Sequence, residues 1–209
     1  MAAYSISAVL VEFDQAHDRL NTFLTSARDF RKADGNSIHV RDLEEIASLA
    51  LLKLSLAWES FVEDSFLRYL CGAKSSAGVA PVLLAAKEAT LSAAFRSLSA
   101  GNKFLSWQPD TTINRANKCF DKGAPYATAI KGAKSDLEDI TSVRNRIAHR
   151  SDYSVKAFQD VVRAHLGYVP TGMTPGRFLL RTLPSAGKPA IEHYRTLLSA
   201  TATLIANHT

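Results

Sequence analysis

The chain has 209 residues, 46% of them apolar and 22% charged, with a net charge of +5 and a pI near 9.3. That profile fits a globular protein with a sizeable core, and its modest cationic excess suits an anionic partner, nucleic acid first. No run approaches the roughly 18 apolar residues of a membrane span, the N-terminus lacks a signal-peptide pattern, and Cys71 and Cys119 stand alone; the expectation is a cytoplasmic protein with neither disulfides nor a cysteine-held metal.

The first helix is read from Ile6, Val9, Phe13, Ala16, Leu20, Phe23, Ala27 and Phe30, whose alternating steps of three and four make a heptad seam. His17 falls beside that seam, as a surface or boundary residue. The cluster Asp34-Gly35-Asn36-Ser37 supplies the N-cap of a second helix, from about Ile38 to Leu70, stopped by Cys71-Gly72. Its stripe is Leu43, Ala47, Ala50, Leu54, Ala57 and Phe61. Leu49, Leu51, Leu52 and Leu56 make its middle apolar nearly all round, as in a central helix or a subunit contact. Glu59 and Glu63, among the aromatics Trp58 and Phe61, read either as a solvated edge or, for Glu59, as a carboxylate that orients an arginine.

Pro81 fits the first turn of a third helix reaching about Leu98, closed by Ser99-Ala100-Gly101-Asn102. Residues 101–112 read as irregular, anchored by Phe104 and Trp107. A short helix follows near Ile113–Phe120. Ser135 or Asp136 caps a further helix to about Arg150, and Val155–Leu166 is amphipathic through Phe158, Val161 and Val162. Four prolines and four glycines make residues 167–190 a long irregular connection, with Arg177–Arg181 as a strand or docked extended piece. A last helix, Pro189–Ala206, packs through Ile191, Tyr194, Leu197, Leu198 and Leu204.

The segment that combines chemistry is Val143-Arg144-Asn145-Arg146-Ile147-Ala148-His149-Arg150. At about 100° per residue, Leu137, Ile140, Val143 and Ile147 share one arc, and Arg144 falls inside it. An arginine on an apolar stripe needs a partner or a polar crevice. Asn145 and His149 are neighbours one turn apart on a second face, Arg146 and Arg150 on a third. Histidine is suited to moving protons near neutral pH, and a guanidinium stabilises charge on a phosphorane-like transition state. These groups are what cleavage of RNA by its own 2′-hydroxyl requires, with no metal. In-line displacement wants both an acid and a base, so a single histidine implies a homodimer with a composite cleft. The plainer reading is a helical bundle with a basic helix.

Arg144-Asn145-Arg146-Ile147-Ala148-His149 resembles the R-N-x-x-x-H form of the HEPN superfamily's Arg-x(4–6)-His motif. Leu56-Ala57-Trp58-Glu59-Ser60-Phe61-Val62-Glu63 is similar to the tryptophan-containing helix of the RiboL-PSP-HEPN branch. The likeness covers roughly residues 1–165. It implies an all-α, elongated helical bundle that dimerises; with no domain boundary in the sequence, residues 1–209 read as a single domain, in which the irregular Pro/Gly-rich segment and the last helix are less clearly matched. It also implies a metal-independent endoribonuclease without cofactor, acting on RNA in a toxin–antitoxin or anti-phage setting, with an antitoxin protein as partner. By resemblance, His149 is the acid or base, Arg144 stabilises the scissile phosphate, Asn145 orients the histidine or the phosphate, and Glu59, the acidic residue of the tryptophan-containing helix, supports them. Arg146 and Arg150 would bind RNA. Some HEPN domains are instead non-catalytic modules that bind RNA, nucleotide or protein.

Overall fold

The protein, seen in a computed structural model that describes residues 4–30 and 35–209, is an all-α helical bundle. Eight α-helices lie among the described residues: α1 (Ile6–Asp29), α2 (Val40–Leu70), α3 (Leu91–Ser99), α4 (Pro109–Cys119), α5 (Tyr126–Ala148), α6 (Asp152–Leu166), α7 (Pro175–Leu180) and α8 (Ala190–Ala206). A two-residue antiparallel hairpin, β1 (Thr182–Leu183) with β2 (Lys188–Pro189), joins the last two. No described helix is long and apolar enough to cross a membrane. Two compact units divide the chain. The first comprises Met1–Asp14, Ala57–Leu137 and Leu198–Thr209; the second comprises Gln15–Leu56 and Glu138–Leu197.

Helix α1 buries Ile6, Val9, Phe13, Leu20, Leu24 and Ala27, and leaves Phe23 half exposed. The heptad seam therefore drifts. Eighteen residues make about five turns of a straight helix, so Leu24 returns to the azimuth of Ile6 while Phe23 has rotated roughly 100° away. His17, expected at the surface or the boundary, comes onto the buried face at 8% exposure. Phe30 lies beyond the helix end and is also half exposed.

Helix α2 starts at Val40, two residues later than expected. His39 caps it: its carbonyl accepts from the amides of Asp42 (3.0 Å) and Leu43 (3.1 Å), and its Nδ1 accepts from that of Arg41 (3.2 Å). Asp34, the first residue of the expected capping cluster, lies outside the described residues. The other end stops at glycine as expected. Gly72, at φ 79°, donates to the Tyr69 carbonyl and Ala73 to that of Arg68, the paired bonds of a Schellman motif. Ala47, Ala50, Leu54 and Phe61 of the stripe are buried, as is Leu51, whereas Leu49 and Leu56 are exposed.

The helix expected from Pro81 begins only at Leu91, where Thr90 Oγ1 accepts from the Ala93 amide at 3.1 Å. Long-range bonds take the upstream backbone instead. The amide of Leu84 donates to the Cys119 carbonyl, that of Asp121 to Val82, and that of Glu88 to Leu70. Pairing with distant partners has overridden the helix preference of the Ala/Leu-rich sequence. Helix α5, by contrast, starts at Tyr126, nine residues before Ser135, and Ser135 is an interior helical residue rather than a cap.

The core of the first unit is aromatic. Phe66 sits 4.9 Å, centroid to centroid, from both Phe120 and Tyr126 and 5.3 Å from Trp107. The polar tips inside it are satisfied, as buried hydroxyls require. Tyr126 bonds Ser65 at 2.8 Å, and Tyr69 donates to the Ile205 carbonyl at 2.9 Å. Trp107 is a core anchor, whereas Phe104, expected to be one, is 81% exposed. Glu63 is no solvated edge: it is half-buried and accepts from the Trp107 indole at 2.7 Å.

In the second unit, Arg177–Leu180 forms part of helix α7 and is not a strand. Thr174 caps that helix and Pro175 occupies its first turn. Phe178 is fully buried against Phe158, with ring centroids 6.0 Å apart. Thr174 donates to Glu44 Oε2 at 3.0 Å, and Gly176 lies so close to the Glu44 backbone that a Cβ there would overlap its carbonyl. The segment 167–190 thus holds a helix and a hairpin where an irregular arm was expected. In α8, Ile205 is fully buried while Leu204, expected in the packing face, is 63% exposed.

Candidate functional site

The Arg–His segment lies in the second unit, where α5 ends and α6 begins. Ile140 and Val143 are buried and anchor the end of α5; Ile147 is half-buried. The helix closes at Ala148 rather than Arg150. His149 still donates its backbone N–H to the Asn145 carbonyl at 2.8 Å, so it rides on the last helical bond and sits where a helix side chain would.

The groups divide by burial. Arg144, Asn145 and Arg146 are half-buried, and His149 and Arg150 are exposed. Arg144, expected within the buried arc, is at its edge. Its Nη1 donates to Asn145 Oδ1 at 3.1 Å, so the neighbouring amide holds the guanidinium. Asn145 thus bonds Arg144 through its side-chain oxygen. The His149 ring takes no hydrogen bond among the described residues; beside its backbone N–H, its carbonyl is engaged.

That carbonyl accepts from Arg146 Nη1 at 3.3 Å and from Ser154 Oγ at 3.0 Å. Arg146 thus caps the end of its own helix, a position that also suits its charge, since the macrodipole is negative there. The expected outward pair of Arg146 and Arg150 is split: Arg146 is partly spent on the backbone, and Arg150 is exposed. Ser151 caps α6 by accepting from the Ser154 amide, and Ser154 is 3% exposed. Ser154 went unnoticed in the sequence. The spacing Ser151-x-x-Ser154 just before an amphipathic run was the available signal.

Glu59 is an exposed residue of α2, in the portion belonging to the first unit. His165, which had no assigned role, is bonded to Asp139 at 2.8 Å within the second unit; the two side chains are 14% and 21% exposed. Nothing in their separation of 26 residues pointed to this. The His165 ring also packs on Phe178, 5.9 Å between centroids, so both its nitrogen and its face are occupied. His17 is likewise engaged, lying 3.1 Å from Asp18 Oδ1 through Nδ1 and 3.1 Å from Arg195 Nη1 through Nε2. His149 differs from both in presenting an exposed ring to solvent.

What the arrangement offers chemically is a titratable imidazole beside three guanidinium groups within seven residues, one held by a neighbouring amide. Such groups can bind an oxyanion and move a proton. In comparisons with known proteins, no family model, no curated protein and no solved structure matches the chain.

Proposed function

We propose that the chain is an endoribonuclease that cleaves RNA by attack of the 2′-hydroxyl on the adjacent phosphate. The observation that carries this reading is the exposed, unbonded imidazole of His149 beside Arg144, Arg146 and Arg150 at the α5–α6 junction. His149 takes the proton of the 2′-hydroxyl or returns one to the departing 5′-oxygen. Arg144, held by Asn145, places its guanidinium on the phosphate oxygens, where charge builds in the transition state. The bond formed is O2′–P and the bond broken is P–O5′, leaving a 2′,3′-cyclic phosphate and a 5′-hydroxyl. None of these steps requires a metal ion. A second copy of the chain supplies the second acid–base group, so the active form is a homodimer. The resemblance to HEPN ribonucleases adds a toxin–antitoxin or anti-phage setting, with an antitoxin protein as regulator.

The test is cleavage of RNA in EDTA by purified protein, with end-group analysis of the products. Cyclic phosphate ends that vanish in both His149→Ala and Arg144→Ala support the assignment; cleavage that persists in both ends it.

A second reading is a module that binds RNA, nucleotide or protein without chemistry. The Arg144–Asn145 bond favours it, because the amide that would fix the histidine tautomer is committed elsewhere. It expects salt-dependent RNA binding that Arg146→Ala and Arg150→Ala weaken more than His149→Ala.

A further inference from the structure

The first unit contains a cleft of about 570 Å³, within the range of roughly 300–1,000 Å³ typical of small-molecule sites. Its residues belong to none of the machinery proposed above. The apolar lining is aliphatic: Leu70, Leu83 and Leu98, with Ala85 and Ala86. Helix α4 supplies the polar side, with Thr111, Asn114, Arg115 and Lys118 at the three- and four-residue spacing that puts them on one face. The cleft is built before any ligand arrives. The Leu84 amide is tied to the Cys119 carbonyl at 3.0 Å and the Glu88 amide to that of Leu70 at 2.9 Å, so both ends of the 84–88 wall are pinned.

Arg115 is the distinctive group. It is half-buried, its guanidinium lies 4.4 Å over the Trp107 ring, and Nη1 donates to the Ser106 carbonyl at 2.8 Å. Among the described residues no carboxylate pairs with it; the carboxylate of Glu63 sits on the indole N–H of Trp107. Burial lowers the arginine's affinity for its proton, and the nearby Cys119 thiol and Glu63 carboxylate offset this only in part. The charges in the cleft are also segregated. Arg115 and Lys118 lie on α4 with Cys119, whereas Glu88 lies on the 84–88 wall with its amide tied to Leu70. Two cations against one carboxylate leave the lining with one net positive charge, at the Cys119 end.

We propose that this cleft binds an aliphatic monocarboxylate, its head on Arg115 and Lys118 and its chain along Leu98, Leu83 and Leu70. A guanidinium presents paired donors that match a carboxylate, and one negative charge balances the lining. The lining has no aromatic face on which a base would stack, which disfavours a nucleotide there.

Cys119 lines the cleft and reports on its occupancy, while Cys71 is buried and serves as reference. The experiment alkylates the intact protein with iodoacetamide in the presence of decanoate or decanol and follows each cysteine by peptide mass. Decanoate should slow alkylation of Cys119 saturably and leave Cys71 unchanged, and decanol should need about tenfold more for equal protection. Arg115→Met should raise the half-protecting decanoate concentration about tenfold without affecting decanol. Because Arg115 also packs on Trp107, exposed Lys118 provides the second variant: Lys118→Gln should give a shift of about threefold in the same direction, with an unchanged circular dichroism spectrum. Equal protection by decanoate and decanol, protection that survives both substitutions, or no protection at all would overturn the proposal.

Discussion

His149 and Arg144 stand five positions apart but differ in how much structure rests on them. The imidazole is exposed and unbonded among the described residues, so on the proposed ribonuclease reading His149→Ala should abolish RNA cleavage while changing stability by no more than about 0.5 kcal/mol. Arg144 is half-buried and bonded to Asn145, so Arg144→Ala should abolish cleavage and cost about 1 kcal/mol as well. Paired activity assays and denaturant melts check both. Ser154 is the reverse case, a buried side chain with no part in the proposed chemistry. Its hydroxyl donates to the carbonyls of His149 (3.0 Å) and Ser151 (2.8 Å). Ser154→Ala should cost about 1–2 kcal/mol in a urea melt and loosen the segment that positions His149. A variant as stable as the parent would show that these bonds contribute nothing net.

At the level of elements, two substitutions test how the helices are held. Gly176→Ala places a methyl group on the Glu44 backbone, so α7 must shift from α2; a cost of about 2 kcal/mol or more is expected in thermal melts. Thr90→Ala removes the cap of α3 and should cost about 1 kcal/mol. The ends marked by glycine were legible in the sequence, because the reason is local: Gly72 adopts φ 79° and Gly167 φ 78°, conformations that a side chain resists. Starts were read less well. His39 caps α2 with a ring nitrogen, which no usual preference signals, and residues 82–88 exchange backbone hydrogen bonds with Cys119, Asp121 and Leu70, far away in the chain. The drift that buries His17 and exposes Phe23 is arithmetic, and was available from the true helical period. For the candidate site, the sequence brought Arg144, Asn145 and His149 onto one helix end. Which of them bonds which depends on rotamers that spacing does not set.

For the molecule as a whole, the aromatic core of the first unit sets a limit at high pH. Burial raises the pKa of Tyr69 and Tyr126 above the ordinary phenol value of 10.0; the Ser65 hydrogen bond offsets this only partly for Tyr126. A phenol that ionises less readily when folded stabilises the native state fully below pH 10.0, and that contribution is lost as pH rises beyond it. Stability should therefore fall above pH 10.0, and Tyr69 and Tyr126 should ionise only together with unfolding. Tyrosinate absorbance measured against circular dichroism tests this; ionisation of all six tyrosines before any unfolding would refute it. The mass of the active species in solution tests the homodimer.

All four places where the chain passes from one unit to the other fall inside helices: after Asp14 in α1, Leu56 in α2, Leu137 in α5 and Leu197 in α8. Neither unit is therefore a contiguous piece of coding sequence, and no loop marks where one could be excised. A cut at any crossing would sever a run of helical hydrogen bonds rather than a tether. The segment with the arginines and histidine and the cleft beside α4 should consequently be inherited, expressed and lost together, and a gene fragment encoding one alone should not yield a folded product.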